Sequence, residues 1–124
     1  MIMIQRVRNI TPQLASLLQK TINETPACIE TLEDIEANVA SGSEWLFASD
    51  NVVFLCHLIQ AETLYLNVSL LGGKDDTLHL WKDELLALIK TLTKETNSKL
   101  LIITREGWQR VYPELKQIGC VFTL

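Results

Sequence analysis

The sequence has few of the residues that mark specialised classes of protein. Its cysteines, Cys28, Cys56 and Cys120, lie far apart and outside any CxxC or CxxH pair, which argues against a disulfide framework or a zinc site. No apolar run approaches the roughly 18 residues of a membrane span. The start of the chain also lacks the basic leader and apolar core of a signal peptide. We therefore expect no structural metal, no membrane segment and no secretion by a signal peptide.

Basic residues are also in deficit, because 11 Lys and Arg stand against 15 Asp and Glu, for a formal net charge of −4. A negative total disfavours binding to nucleic acid or to an anionic membrane surface. A chain of 124 residues suits one compact domain, which can bury about two-thirds of its unfolded surface. The 48% hydrophobic share is ordinary for a globular protein, so we expect a single domain over residues 1–124.

Hydrophobic periodicity predicts the element order β-α-α-β-β-β-α-β-α-β. Thr11 before Pro12, and Thr31 three residues before Asp34, have the pattern of helix N-caps, and Gly42 is expected to end the second helix. Strands are predicted at Ile2–Val7, Trp45–Ala48, Val52–Ile59, Leu64–Leu71, Leu100–Thr104 and Cys120–Leu124, and helices from Thr11, Thr31, Thr77 and Gly107.

A three-strand meander followed by a helix and a parallel strand implies a mixed, mostly antiparallel central sheet with helices on both faces, an α/β (α+β) fold. In the last meander strand, alternation places Leu66, Val68 and Leu70 on one face and the polar residues on the other. The last predicted helix runs to Ile118 and contains Pro113, so it should kink or begin late.

Three short motifs accompany this order in the second half of the chain. They are Gly73-Lys74-Asp75 with Trp81 after it, Arg105-Glu106-Gly107-Trp108, and Ile118-Gly119. Together with the element order, they resemble the GNAT (GCN5-related N-acetyltransferase) fold family over nearly the whole chain, and most of all its small members from tailed bacteriophages. Some of those phage proteins are described as acetyltransferases and others as virion or assembly proteins. The alternative is an unrelated α+β domain with the same element order.

The resemblance implies a site for acetyl coenzyme A where the last meander strand separates from the next strand. The pyrophosphate would rest on backbone N–H groups at the start of the long helix. The family pattern there, Gln/Arg-x-x-Gly-x-Gly/Ala, is not kept, and Asp75 and Asp76 stand at the expected helix start. We expect these carboxylates to cap the helix and to repel a pyrophosphate, so that no cofactor binds. The candidate cofactor-binding residues at that place are Leu70, Leu71, Gly72, Gly73 and Lys74.

The resemblance also implies an acid and a base for acetyl transfer. The family's tyrosine acid would stand where this sequence has Leu115, and Tyr112 reaches that place only if the helix shifts at Pro113. The candidate bases are Glu62, in the turn between two strands, and His57, which points either into the core or into the cleft. These three candidates are weak, because a surface or core role is the simpler explanation for each of them.

Two further features bear on partners. Trp108 opens the last predicted helix and is either a core residue or an anchor for a partner protein. GNAT enzymes usually continue through a hairpin to a seventh strand, whereas this chain stops at Leu124 after the sixth predicted strand. The resulting open sheet edge could pair with a virion component or with a second copy.

These expectations lead to two hypotheses of function. The first is a phage-encoded, non-catalytic module that acts in the virion, in assembly or in another protein interaction, with a degenerate coenzyme A site. It would be found in the host cytoplasm or in the virion. The alternative is a minimal acetyl-CoA-dependent N-acetyltransferase, since that chemistry depends mainly on positioning the thioester and the amine.

Overall fold

The computed structural model describes residues 3–25, 28–103, 116–118 and 121–123. Within these ranges no helix has both the length and the apolar character that crossing a membrane requires. The helices and strands in chain order are β1 (Gln5–Val7), α1 (Pro12–Asn23), α2 (Leu32–Ser41), β2 (Trp45–Ala48), β3 (Val52–Gln60), β4 (Leu64–Gly73), α3 (Leu78–Thr96), β5 (Lys99–Ile103), β6 (Lys116–Ile118) and β7 (Val121–Thr123).

The first two helices begin at the threonines that the sequence predicts. Thr11 caps α1 through its side-chain oxygen, and Pro12 is the first helical residue. At α2, Thr31 Oγ1 accepts a hydrogen bond from the Asp34 N–H at 3.2 Å, and the Asp34 carboxylate accepts one from the Thr31 N–H at 2.9 Å. Gly42, at a φ of 85°, ends α2. These local signals hold because caps satisfy backbone groups with neighbouring residues alone.

All the strands join one sheet in the order β1-β2-β3-β4-β5-β7-β6. Every neighbouring pair is antiparallel except β4 and β5, which are parallel. Pairing between β4 and β5 runs from Tyr65 to Val68, opposite Lys99 to Ile102, and β4 then continues to Gly73. The predicted mixed, mostly antiparallel sheet is therefore confirmed.

A β-bulge interrupts the regular alternation of β4. Leu55 of β3 lies opposite Leu70, but the next residue, Cys56, lies opposite Val68, so Ser69 is an extra residue. Leu70 consequently packs on the α1 and α2 side, whereas Val68 packs on the α3 side. Leu66 and Val68 share one face as predicted. The prediction is wrong for Leu70, because the bulge puts it on the opposite face of the sheet.

Helices cover both faces of the sheet, as predicted. Phe54 and Leu55, neighbours on β3, point into opposite cores. The core under α1 and α2 contains Leu17, Leu18, Ile35, Val39, Leu46, Ala48, Val53, Leu55 and Leu70. The core under α3 contains Phe47, Val52, Phe54, Cys56, Leu66, Val68, Leu71, Trp81, Leu85, Ile89, Leu100 and Ile102.

The C-terminal part of the sheet differs from the prediction. Lys116–Ile118 forms strand β6 rather than the end of a helix, and it pairs antiparallel with β7. The expectation of a sheet that stops at six strands is also wrong, because the β6–β7 hairpin makes the sheet seven-stranded. The rest of the predicted helix, with Pro113, lies outside the described residues. A run of three residues carries too little periodicity to distinguish helix from strand, and pairing with β7 decides the outcome.

Candidate functional site

A cavity of about 540 Å³ lies between α2, the segment before it, and the adjoining face of β3 and β4. The two strands bring His57 and Asn67 together, because these residues are opposite each other in the register. Ser69 reaches the same cavity at the bulge. The lining residues are Cys28, Ile29, Glu30, Asn38, Ser43, Glu44, His57, Asn67 and Ser69.

Glu44 is a buried carboxylate in this cavity, with its side chain only 6% exposed. Its Oε1 accepts a hydrogen bond from Asn38 Nδ2 at 2.8 Å, and its Oε2 accepts one from Ser69 Oγ at 3.2 Å. Glu44 Oε2 also lies 3.9 Å from His57 Nδ1, which is too long for a hydrogen bond but close enough for attraction to a charged imidazole. Donors from a helix and from a strand therefore fix the position of this carboxylate.

Asn38 connects Glu44 to a second carboxylate, Glu30. The Asn38 Nδ2 group donates to Glu30 Oε2 at 3.1 Å. Burial, followed by hydrogen bonding with Glu44 and the charge of Glu44, raises the pKa of Glu30 to about 7. A carboxyl group with such a pKa exchanges its proton near neutral pH, which is the property of a general acid or base.

Two buried polar atoms of the cavity have no hydrogen-bond partner within the described part of the chain. They are His57 Nδ1 and Asn67 Oδ1. Asn67 as a whole is only 5% exposed. Because a buried unpaired acceptor costs roughly 1–3 kcal/mol, such atoms are rare in native proteins and are typical of places that receive a donor from elsewhere.

The three candidate catalytic residues differ in where they lie and in whether they belong to the described residues. His57 lines the cavity rather than the core and is about 30% exposed at its side chain. Glu62 lies in the exposed turn between β3 and β4, outside the cavity lining. Tyr112 lies outside the described residues, and so does the candidate interaction residue Trp108. Of the two candidates within the described residues, His57 and Glu62, only His57 is brought into a cluster of ionisable groups.

The glycines expected at a phosphate-binding turn are the last two residues of β4, and other parts of the protein pack closely against both. A Cβ at Gly72 would lie 2.5 Å from Thr21 Cγ2 of α1. A Cβ at Gly73 would lie 2.7 Å from the Asn51 carbonyl oxygen and 2.9 Å from the Trp81 ring. Protein packing alone therefore accounts for both glycines.

The other residues of that predicted site, Leu70, Leu71 and Lys74, also make contacts within the protein. Leu70 and Leu71 are buried in opposite cores. The Lys74 N–H donates to the Asn51 carbonyl oxygen at 2.8 Å. Lys20 lies 3.3 Å from the Asp75 carboxylate. A hydrogen bond to Glu24 raises the pKa of Lys20, desolvation lowers it, and a hydrogen bond to Asp75 raises it further.

The two aspartates do not cap α3, contrary to expectation. The helix begins at Leu78 after Thr77, and its first turn contains no acidic residue. Asp75 is 85% exposed at its side chain, and Asp76 has a φ of 61°, which places it in a left-handed turn. That turn delays the helix start, so both carboxylates precede the positions from which a side chain caps. Their negative charge nevertheless remains beside the turn.

The sequence pattern did not point to Glu30, Asn38 or Glu44, which come from the turn segments and helix around the cavity. A signal existed in β4, where Asn67 and Ser69 are polar residues inside a strand that is otherwise apolar and central. The hydrogen bond from Ser69 to Glu44, however, joins residues that are 25 positions apart in the chain. The signal therefore marks a polar face without saying which residues meet it.

The cavity combines a fixed buried carboxylate, a carboxyl group that titrates near neutral pH, an imidazole and an unpaired amide oxygen. These groups suit the binding of a hydrogen-bond donor or a proton transfer. No group of three or more His, Cys, Asp and Glu side chains in the described ranges is arranged to hold a metal ion. No family model matches the chain, and no curated protein or solved structure matches it either.

Proposed function

We propose that this chain is a GNAT-like domain with a degenerate coenzyme A site, and that it acts by binding a protein partner as a phage-encoded virion or assembly component. The phage origin and the virion role rest on the sequence motifs around Gly73-Lys74-Asp75 and Trp81. The degenerate site rests on the geometry of the turn between β4 and α3.

The arrangement of the sheet supports the GNAT-like part of the proposal. In that family the last strand of a meander separates from the following parallel strand, and a terminal hairpin completes the sheet. Here β2, β3 and β4 form the meander, and β4 pairs in parallel with β5 over four residues before it continues to Gly73, still paired with β3. The β6–β7 hairpin then completes the sheet.

The inferred loss of coenzyme binding rests on the turn between β4 and α3, where other residues occupy the space a phosphate would need. A pyrophosphate at this turn needs free backbone N–H groups and a close approach to glycine. The Lys74 N–H is already bonded to Asn51, and Gly73 packs against Asn51 and Trp81. The Asp75 carboxylate adds like-charge repulsion to a bound phosphate, which its ion pair with Lys20 at 3.3 Å offsets in part. Without the coenzyme the domain has no acetyl donor, and we infer that it acts by binding a protein partner.

A minimal N-acetyltransferase remains the second candidate, and the cavity is the observation that favours it. Glu44 and His57 lie within 3.9 Å of each other, and the pKa of Glu30 is about 7. A base of that kind accepts the proton that an amine loses during acetyl transfer. In this case Glu30 or His57 would be the base, and the Glu62 candidate would have no role.

Titration of the protein with acetyl coenzyme A by calorimetry distinguishes the two candidates. We expect no binding heat up to millimolar coenzyme, and no shift in melting temperature. A ligand present at a hundred times its Kd would instead stabilise the fold by about 2.7 kcal/mol. Saturable binding with transfer of the acetyl group to an amine would overturn the proposal in favour of the enzyme.

A matched pair of variants tests the reason for the missing site. The double variant D75N/D76N removes both charges at the turn, and asparagine tolerates the left-handed φ of residue 76. The control D83N removes a carboxylate from an exposed position on α3. Gain of coenzyme binding by the double variant alone would support a site blocked by charge. Co-purification of the unaltered protein with a capsid or tail component would support the partner-binding role.

A further inference from the structure

Strand β1 is an open edge of the sheet within the described part of the chain. It lies at the opposite end of the sheet from the β6–β7 hairpin, and it pairs on one side alone, with Gln5–Val7 opposite residues 46–48 of β2. The chain just before β1 is fastened to α3, because the Glu84 carboxylate accepts a hydrogen bond from the Ile4 N–H at 2.6 Å. An edge strand that is held in place offers backbone donors and acceptors to another extended segment.

Two arginines make this edge basic, although the chain as a whole is acidic. Arg6 and Arg8 are exposed, and both line a cavity of about 340 Å³ between β1 and the end of α2. The Arg6 guanidinium lies over the Trp45 ring, 5.6 Å from its centroid. Neither arginine forms an ion pair with a carboxylate of the described residues. Glu44 borders the same cavity, but its carboxylate accepts hydrogen bonds from an amide and a hydroxyl instead.

A second cavity, of about 600 Å³, follows the same strand. Gln5, Val7 and Asn9 line it together with the start of α1 and the turn between β2 and β3. These three residues alternate along the chain, so they belong to one face of the extended segment. Among the described lining residues, Lys74 is the cation and Asp50 the carboxylate, and the other polar side chains are amides and hydroxyls. This groove has room for the side chains that an added strand directs away from the arginines.

We propose that β1 binds an extended acidic segment of a partner protein by strand addition. The main chain of the segment hydrogen-bonds to the open edge of β1, and its carboxylates pair with Arg6 and Arg8. The side chains between those carboxylates enter the groove beside Gln5 and Val7. The proposal rests on the partner-binding function proposed above, and it names the surface used and the chemistry of the partner.

Charge disfavours a second copy of β1 as the occupant of this edge. Antiparallel pairing of β1 with itself brings Arg6 and Arg8 of one copy beside the same arginines of the other. Like charges on facing strands are destabilising, and charged side chains on an edge strand are a common protection against self-pairing. An acidic segment has the opposite sign, so the arginines that repel a second copy attract it.

The test is an NMR titration of the full chain at pH 7 and low ionic strength with an end-capped octapeptide of alternating threonine and glutamate. We expect saturable shifts at the backbone N–H groups of Gln5–Val7, with a Kd of roughly 0.1–1 mM that rises as salt is added. The control octapeptide, of alternating threonine and lysine, should give no saturable shift. Equal responses to the two peptides, no saturation by the glutamate peptide, or saturable shifts confined to other strands would overturn the proposal.

A modified peptide separates strand addition from simple attraction between charges. The same threonine–glutamate octapeptide, N-methylated at every residue, keeps its carboxylates but has no backbone N–H donor. We expect its affinity to be lower by about tenfold or more, because it cannot form the ladder of hydrogen bonds with β1. If it binds as tightly as the unmodified peptide, the arginines merely attract its charge, and strand addition is wrong.

Variants assign the binding to the two arginines. R6Q/R8Q removes both charges from exposed positions, and we expect it to weaken binding of the glutamate peptide by about tenfold or more. K90Q/K94Q removes two exposed charges from α3 and is the matched control, which should bind as the unaltered protein does. Unchanged affinity in R6Q/R8Q would show that the peptide binds elsewhere. A negative result with the peptides overturns this surface alone, whereas failure to co-purify with a capsid or tail component counts against the proposed function itself.

Discussion

Asn38 connects the two carboxylates of the cavity through its side-chain amide. It donates to Glu44 Oε1 at 2.8 Å and to Glu30 Oε2 at 3.1 Å, so one amide group holds two carboxylates that would otherwise repel each other. Hydrogen bonds from Asn38 and Ser69 hold the buried Glu44 carboxylate in place. Burial and the neighbouring Glu44 raise the pKa of Glu30 to about 7. The Asn38 hydrogen bond opposes that rise, so burial and the neighbouring Glu44, rather than the amide, raise the pKa of Glu30.

The pKa of Glu30 predicts a pH dependence of stability. Folding raises this pKa from its ordinary value of 4.5 to about 7, so the folded protein binds the proton more tightly than the unfolded chain does. The stabilisation from that proton is complete below pH 4.5 and is lost as the pH rises through 7. Urea unfolding at pH 5 and at pH 8 should show a smaller decrease in the unfolding free energy for E30Q than for the unaltered protein.

Glu33 provides the control for this experiment, because it is an exposed carboxylate on α2. E33Q should keep the full decrease between pH 5 and pH 8. If E30Q and the unaltered protein lose the same free energy over that interval, Glu30 titrates as it does in the unfolded chain. The raised pKa would then be wrong.

Among the elements, α2 and the bulged strand β4 decide where the cavity lies. α2 begins with the capping box of Thr31 and Asp34, directly after the segment that carries Glu30. It ends at Gly42, two residues before Glu44. Both carboxylates therefore flank one short helix, and the helix itself supplies Asn38. β4 supplies the opposite wall, where Ser69, at the bulge, lies on the same face as Asn67.

Removal of the α2 cap should weaken this element measurably. The change Thr31→Ala deletes the acceptor for the Asp34 N–H and should lower the unfolding free energy by about 1 kcal/mol. The comparison is Glu36→Ala, an exposed position on the same helix, which should change stability by about 0.5 kcal/mol or less. Equal losses in the two variants, measured by urea unfolding, would refute a capping role.

At the scale of the whole molecule, two hydrophobic cores share one sheet. Successive residues of β3 alternate between them, with Phe54 under α3 and Leu55 under α1 and α2. If the helices on one face of a strand unfold, the side chains that this strand places on the opposite face also lose their fixed positions. The described parts of the chain should therefore unfold as one cooperative unit, as small domains usually do.

Leu18 and Leu85 test this coupling, because each is fully buried, one on α1 and one on α3. We expect Leu18→Ala and Leu85→Ala each to cost about 2–5 kcal/mol. In both variants, tryptophan fluorescence and far-UV circular dichroism should report the same unfolding midpoint. Leu80→Ala, at a position that is 47% exposed, should leave the midpoint nearly unchanged. Separate transitions in Leu18→Ala would show that the two layers unfold independently.

Local signals and hydrophobic period predicted most of the elements correctly. The caps at Thr11 and Thr31, the stop at Gly42 and the three meander strands depend on residues close in sequence, and the structure has them. The placement of helices on both faces also followed from the order of elements. Such features are predictable because their hydrogen bonds and apolar stripes lie within a few residues of each other.

Contacts between distant segments decided what the sequence by itself did not. The bulge at Ser69 depends on the register between β3 and β4, and strand β6 depends on pairing with β7. Asp75 and Asp76 do not cap α3, because Asp76 takes a left-handed turn before the helix begins. The cavity likewise joins Glu30, Glu44 and Asn67, which no sequence spacing relates. The sequence determined the elements through local hydrogen bonding and periodicity, whereas pairing and burial of distant residues alone created the acidic cavity and filled the turn after β4.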